Sequence, residues 1–431
     1  IRITGRDCGT FGVLGLVVHA PPGSLLTTNL FATPSTPLTR DASVSSRGAT
    51  GAAVTDSLAA TRGLLTKACS FLLASRPNEG CFSMAGSWYQ SAYAIRTLLA
   101  GGKVLGEPAF IDAASECLDR FVAEQRPDGG WSATYFGKPG CPRAAAEVSA
   151  AVSANLADGG SAALALAVAS AAVESPRREQ YREALRRYAD QVVLPNQLET
   201  GAFVNLRFMG EDHRHPYSVA TGIQAAHLSA LYAVTGEARY LAAAERGAHF
   251  LLAGFQATGR YAFHRHDQPG AVNIQSIRFG DLYYILEGLQ WVHHYTGDVE
   301  LSRAIEEAFD GYLWGQGGVS ASRTNEVLWK ANNEWEASKQ GALLGVLSDF
   351  HRMTPPAADE PAVQRRDRRR RDTGEWIRQF VEWLGRPENA EQLGFLVDVA
   401  SPHGEYAFPA TGFAGIGLAS VIDPEALFPA R

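Results

Sequence analysis

No apolar run in this 431-residue chain reaches the roughly 20 residues that a membrane-spanning helix needs, which excludes a spanning helix. Cysteine is scarce: Cys8, Cys69, Cys81, Cys117 and Cys141 are odd in number and widely spaced, so they define neither a disulfide framework nor a CxxC zinc knuckle. An excess of positive charge is missing too. With 39 Lys+Arg against 45 Asp+Glu and a net charge of -6, nothing draws the chain as a whole to nucleic acid or anionic lipid. What is present is apolar material, 46% of the residues, enough for a substantial core.

The first 55 residues stand apart. Arg2 and Arg6 precede the apolar stretch Phe11 to Val18, and Val18-His19-Ala20 resembles a signal-peptidase site, as in an export signal. The other reading is a segment without fixed structure, because residues 21–55 are rich in Pro, Ser, Thr, Gly and Ala and lack periodicity. Cytoplasmic and exported locations both stay open, and a single domain is expected over 56–425.

From there the chain repeats. Leu105-Gly106-Glu107-Pro108, Thr235-Gly236-Glu237-Ala238 and Thr296-Gly297-Asp298-Val299 each place a glycine, then an acid, before an amphipathic stretch. Glycine can close one helix in the left-handed conformation and the acid favours the positive start of the next, so each segment reads as the turn of a helical hairpin. Glu174-Ser175-Pro176 is a degenerate copy. Ile223, Ala226, Ala230, Leu231 and Val234 share one helical stripe, as do Leu282, Ile285, Leu286 and Leu289, and Leu241, Ala244, Ala248 and Leu251. Hairpins are expected near 87–124, 161–192, 220–253, 280–313 and 334–384. A sixth, formed by Leu58 to Ala74 with Phe413 to Val421, closes the ring. Within the fifth, the charged stretch around 354–373 holds Arg365 to Asp372; flanking acids and the lack of interleaved aromatics make it a solvated, mobile insertion rather than a nucleic-acid patch.

These turns resemble those of the six-hairpin glycosidase superfamily, over about 60 to 421. The resemblance implies an all-α (α/α)6 toroid of six helical hairpins, and with it a glycoside hydrolase, polysaccharide lyase or sugar epimerase whose cleft lies where loops enter the inner helices. Two other likenesses carry different chemistry. Gln125-Arg126-Pro127-Asp128-Gly129-Gly130-Trp131 resembles the glutamine-to-tryptophan motif of triterpene cyclases and prenyltransferase β-subunits, also α-toroids, with one clear copy and no DxDD acid motif. Asn332-Asn333-Glu334 with Trp335 is similar to the Asn-Asn-His element of toroidal alginate lyases, with Glu334 in place of the histidine.

The loops entering the inner helices are about 78–90, 129–160, 199–218, 259–281, 315–335 and 402–412. They carry Phe82, Trp88, Tyr89, Trp131, Tyr135, Trp335, Tyr406 and Phe408, whose faces suit either stacking on sugar rings or plugging the hole of the ring. Two loops concentrate ionisable groups: Arg207, Asp212, His213, His215 and Tyr217 on one, and His264, His266, Asp267, Arg278 and Asp281 on the other. A hydrolase would take two carboxyls from Asp212, Asp267, Asp281, Glu334 and Glu405. A lyase or epimerase acting on a uronic acid would use His215 or Tyr217 to move the proton α to the carboxylate, with Arg207 or Arg278 neutralising the enolate. A divalent ion on His264, His266 and Asp267, or on His213 and His215, is a third and weaker reading, and no cofactor is called for. The expected partner is a carbohydrate; a non-catalytic toroid that binds sugar or protein is the alternative. Ser218, after Pro216, is expected to cap the helix that follows. His227, His249, His293 and His294 fall inside helices and receive no role.

Overall fold

The computed structural model describes residues 51–76, 88–133, 154–208, 211–258, 279–308 and 407–429, with scattered positions between 342 and 382. The described residues hold ten α-helices: α1 (Gly51–Ala74), α2 (Trp88–Leu105), α3 (Pro108–Ala123), α4 (Leu156–Ala172), α5 (Arg177–Tyr188), α6 (Ser218–Thr235), α7 (Ala238–Thr258), α8 (Phe279–Thr296), α9 (Val299–Ala308) and α10 (Ala407–Ile422). The expected all-α toroid is present. Its turns are the ones the glycines mark: Gly106, Gly236 and Gly297 have φ of 75°, 76° and 73°, a region that costs a side chain-bearing residue strain.

The helices sort into two layers by contact. α10, α2, α4, α6 and α8 each pack on the next, forming the inner ring, while α3, α5, α7 and α9 back onto it from outside. The described positions of 342–349 are helical and complete the circle. Gln290 of α8 donates to Asp349 at 3.0 Å, and a Cβ on Gly345 would meet Ser420 of α10 at 3.0 Å. α1 lies outside, against both α10 and α2, so the first and last helices pair as expected.

Inner helices are buried on all sides and therefore need small residues where backbones meet. A side chain on Gly222 of α6 would overlap the backbone of Tyr284 on α8, and one on Gly288 of α8 would overlap Gly222 itself. Thr97 of α2 donates to the Gly412 carbonyl of α10 at 2.5 Å across a similar approach. Outer helices face water on one side and are amphipathic, as α3 shows: Phe110, Ala113, Ala114, Cys117, Leu118 and Phe121 are buried on one face. Cys69 and Cys117 are buried, and burial pushes the Cys69 thiol up to about 12, which keeps it protonated. None of the described helices is long and apolar enough to cross a membrane.

Several boundaries differ from expectation; α10, for one, begins at Ala407 rather than at Phe413. α1 begins at Gly51, before the expected Leu58, and α4 begins at Leu156 rather than 161, because Asn155 caps it by accepting from the Asp158 amide at 2.8 Å. The loop expected at 199–218 instead contains an antiparallel hairpin, β1 (Val204–Phe208) and β2 (Glu211–Pro216), with irregular register. Residues 1–50 and most of the 354–373 insertion lie outside the described residues.

Candidate active site

All described inner helices run in the same direction, since contacts join equal depths: the fifth residue beyond the start of α2, Tyr93, meets the fifth beyond the start of α4, Ser161, at 3.3 Å between hydroxyls. Their N-terminal ends therefore form one mouth, and the glycine turns lie at the opposite end. In the ring, α2 and α8 stand opposite one another, and side chains from the two meet across its axis.

The axis is closed in layers. Nearest the mouth, the Tyr89 and Tyr284 hydroxyls form a hydrogen bond. Below them Tyr93 stacks on Phe413 of α10, with centroids 3.8 Å apart, and touches Tyr89 edge-on at 5.5 Å. Deeper still, Arg96 of α2 makes an ion pair with Glu287 of α8, with both side chains under 5% exposed. The Tyr283 hydroxyl also donates to Glu287, at 2.8 Å. Burial, reinforced by the Glu287 charge, drives the Tyr93 phenol far above its ordinary range, so it stays neutral. Among the described residues the axis of the ring is thus closed by a tyrosine layer and is not a pore.

Asp158 lies in the first turn of α4, at the mouth end. It lies one helical turn nearer the mouth than Ser161, on the face that Ser161 shares, and Ser161 touches Tyr93 of the tyrosine layer. Its Oδ2 accepts from Asn155 Nδ2 at 3.0 Å. The carboxyl is half-buried, and desolvation raises it to about 6 despite that bond. An acid with this value is partly protonated near neutral pH and can give up a proton there.

Behind Asp158 a polar chain enters the wall. Gln224 of α6 donates to the Leu156 carbonyl at 2.6 Å and to the Tyr188 hydroxyl at 3.1 Å, and His227 Nδ1 donates to Gln224 Oε1 at 3.0 Å. Burial lowers His227 to about 3, so it is neutral and donor-oriented. His227, assigned no role from the sequence, proves fully buried.

The expected site residues divide into three groups. Trp88 and Trp131 are in the core, 2% and 1% exposed, and both pack on Phe121 of the outer helix α3, so they neither face solvent nor plug the hole of the ring. Trp131 stacks on Phe121 at 4.0 Å and donates Nε1 to the Phe121 carbonyl at 2.8 Å. Tyr89 is in the tyrosine layer, and Tyr217 is half-buried at the start of α6, where it, and not Ser218, is the capping residue, with extended backbone and no side-chain cap. Ser218 is instead the first residue of the helix and fully buried. The hairpin that feeds α6 carries Arg207 on β1 and Asp212, His213 and His215 on β2, at the mouth end; Asp281 occupies the first turn of α8, one turn before Tyr284. His264, His266, Asp267, Arg278, Glu334, Trp335, Glu405 and Tyr406 lie outside the described residues, as do Phe82 and Tyr135.

Asp158 and Tyr284 were missed in the sequence. A faint signal for the first is Asn155-x-x-Asp158, a capping pattern that sets a carboxyl at a helix start. Tyr284 falls between Leu282 and Ile285 of the buried stripe and was not singled out.

No family model matches the chain, and no curated protein matches it. Solved structures do. An inactive variant of the α-1,6-mannanase GH76A of Salegentibacter sp., in complex with α-1,6-mannotriose, matches with a TM-score of 0.57 at 12% identity, covering 84% of this chain and 100% of that one. Dfg5 from Chaetomium thermophilum in complex with glucosamine gives 0.59 at 12% identity, covering 88% and 92%. Cellobiose 2-epimerase from Spirochaeta thermophila gives 0.52 at 13% identity, covering 86% and 99%. The fold these proteins share with the chain is the α/α toroid.

Proposed function

We propose that this chain is a carbohydrate-active enzyme that binds an oligo- or polysaccharide at the N-terminal ends of its inner helices and hydrolyses a glycosidic bond there. The observation that carries the reading is the half-buried Asp158 carboxyl, raised to about 6, in the first turn of α4 at the mouth end, the end at which the Tyr89–Tyr284 pair closes the axis. Its proton would pass to the glycosidic oxygen of the leaving sugar. A second carboxylate, Asp212 on β2 or Asp281 on α8, would activate water or attack the anomeric carbon. The tyrosine hydroxyls would read sugar hydroxyls. The toroidal matches, which include a mannanase and a sugar epimerase, support a saccharide as substrate.

The carboxyls would not come as a neighbouring pair. The inactive mannanase variant has two consecutive aspartates changed, whereas no Asp-Asp dipeptide occurs in this sequence. Here acid and base would be supplied by different helices or by a helix and the hairpin.

Elimination on a uronate is the second reading, favoured by the density of Arg207, His213, Arg214 and His215 on the hairpin that leads into Tyr217. A panel of neutral and uronate-containing polysaccharides, assayed for both new reducing ends and ultraviolet absorbance of unsaturated uronate, separates the two. Reducing ends without absorbance support hydrolysis; both together support elimination. Neither signal on any member would sink the enzymatic reading and favour a sugar- or protein-binding toroid.

A further inference from the structure

Gln125 and Gln197 make the same pair of bonds in successive hairpins. Gln125 Nε2 donates to the Gly129 carbonyl, four residues on, at 2.9 Å and to the Ala184 carbonyl of the next outer helix at 2.8 Å. Gln197 Nε2 donates to the Gly201 carbonyl, also four residues on, at 2.9 Å and to the Ala243 carbonyl of the next outer helix at 2.8 Å. In both, the glycine has positive φ, 80° and 89°, and an aromatic follows two residues later, Trp131 and Phe203. The glutamine-to-tryptophan segment thus has a second copy, Gln197 to Phe203, hidden because Phe replaces Trp and only Gln, Gly and the aromatic position are shared. Arg76, at the end of α1, reaches the next outer helix as well, through Glu116 at 2.7 Å.

The two copies hold different things. Beyond the first, Trp131 is sunk in the core. Beyond the second, Phe203 bonds through its amide to Thr221 Oγ1 at 3.0 Å and through its carbonyl to the Tyr217 amide at 3.0 Å, and the chain then runs out into β1 and β2. The base of that hairpin therefore has two anchors: α6 through Phe203, and α7 through Gln197. Every polar position of the Gln197 amide is used, since Oε1 accepts from Arg246 of α7 at 2.5 Å. Gly201 lies so close to the Arg246 carbonyl that a side chain there would overlap it.

We infer that Gln197 is the positioning residue of the mouth: its three bonds to the turn and to α7 fix the hairpin 204–216, with Arg207, Asp212 and His215, relative to the inner helices. Its catalytic consequence rests on the reading of the mouth as the working end; its structural content does not.

Hydrogen exchange on the full chain, well below its unfolding temperature, tests it. In Gln197→Ala, amides of 204–208 and 211–216 should exchange at least about tenfold faster than in the parent, while those of 282–292 keep their protection. Gln125→Ala removes the same bonds one hairpin earlier and should leave 204–216 unchanged. Unaltered exchange in Gln197→Ala, or equal acceleration in both variants, overturns the inference, the second because it would reflect general loosening. Should Gln197→Ala fail to fold, Arg246→Ala removes one of the three bonds, and acceleration confined to the hairpin is again required. On any polysaccharide the parent cleaves, Gln197→Ala should lower kcat about tenfold with KM changed less than twofold, and Gln125→Ala should alter neither; loss in KM alone would contradict positioning. A parent inactive on every polysaccharide would refute the proposed function and leave the exchange result to decide the role of Gln197.

Discussion

The two ends of the ring solve different problems with different chemistry. At the turn end, hairpins close in a few residues: a glycine at φ near 75° stops one helix, and an acid or threonine opens the next, as where Thr296 Oγ1 accepts the Asp298 amide at 3.1 Å. At the mouth the connections are long, and one of them folds into a strand pair anchored by Gln197. Short turns follow from local backbone preference, so substitutions there should cost stability and little else. Long loops serve what they hold in place, so changes at the mouth should cost activity and little stability. Between the ends lies the buried Arg96–Glu287 pair, which both ends require.

The largest effect is expected at the mouth. Asp158→Asn should lower turnover by ~10²–10⁴-fold, the usual worth of a general acid, with the melting temperature hardly moved. In the parent, activity should fall as pH rises through about 6, because the acid must carry its proton. An Asp158→Asn variant that keeps the activity of the parent, or one that simply unfolds, would return Asp158 to a capping role.

Next comes the layer between. Glu287→Ala leaves Arg96 charged and buried, and should cost roughly 3–5 kcal/mol in denaturant unfolding. The paired replacement Arg96→Met with Glu287→Leu should recover most of that loss. If the single substitution cost no more than a surface one, the layer would not be what ties α2 to α8.

His227 supplies a pH dependence of stability. Its folded value of about 3 lies below the ordinary 6.5, so the unfolded chain binds a proton that the folded one refuses, and stability is lost as pH falls below 6.5. Between pH 6.5 and 5 the loss should be roughly 2 kcal/mol. Asp158 acts in the opposite direction, since its raised value favours the folded state as pH falls through about 6. Unfolding curves of His227→Gln should therefore lack the acid-side decline, and those of Asp158→Asn should steepen it.

The smallest effect belongs to the turns. Gly236→Ala meets no atom within 4 Å, so the left-handed backbone alone opposes it, at about 1 kcal/mol, without effect on activity. A loss of activity there would erase the distinction between the ends.

The same distinction explains what could be read beforehand. Gly106, Gly236 and Gly297 announce their turns because left-handed backbone strongly selects glycine, and the stripe through Ile223, Ala226 and Val234 announces its helix because burial repeats every turn. These are local constraints, and from them the toroid and the pairing of first and last helices followed. The Arg96–Glu287 pair, 191 residues apart in sequence, and the Tyr89–Tyr284 contact exist only once the ring closes, so nothing in either segment signals them. Trp131 looked like a sugar platform because an aromatic in a loop reads the same whether it faces solvent or the core. The β1–β2 hairpin escaped notice although Val204 to Phe208 alternates apolar and polar residues, because its partner, Glu211 to Pro216, is polar nearly throughout and shows no alternation.

The central claim is that the mouth is the working end. The direct measurement is hydrogen exchange of the Asp158→Asn protein with and without an oligosaccharide that the parent cleaves. Protection should appear in 156–161, in the hairpin 204–216 and at the start of α8, with none around Gly106, Gly236 or Gly297. Protection at the glycine turns in place of the mouth would contradict the account.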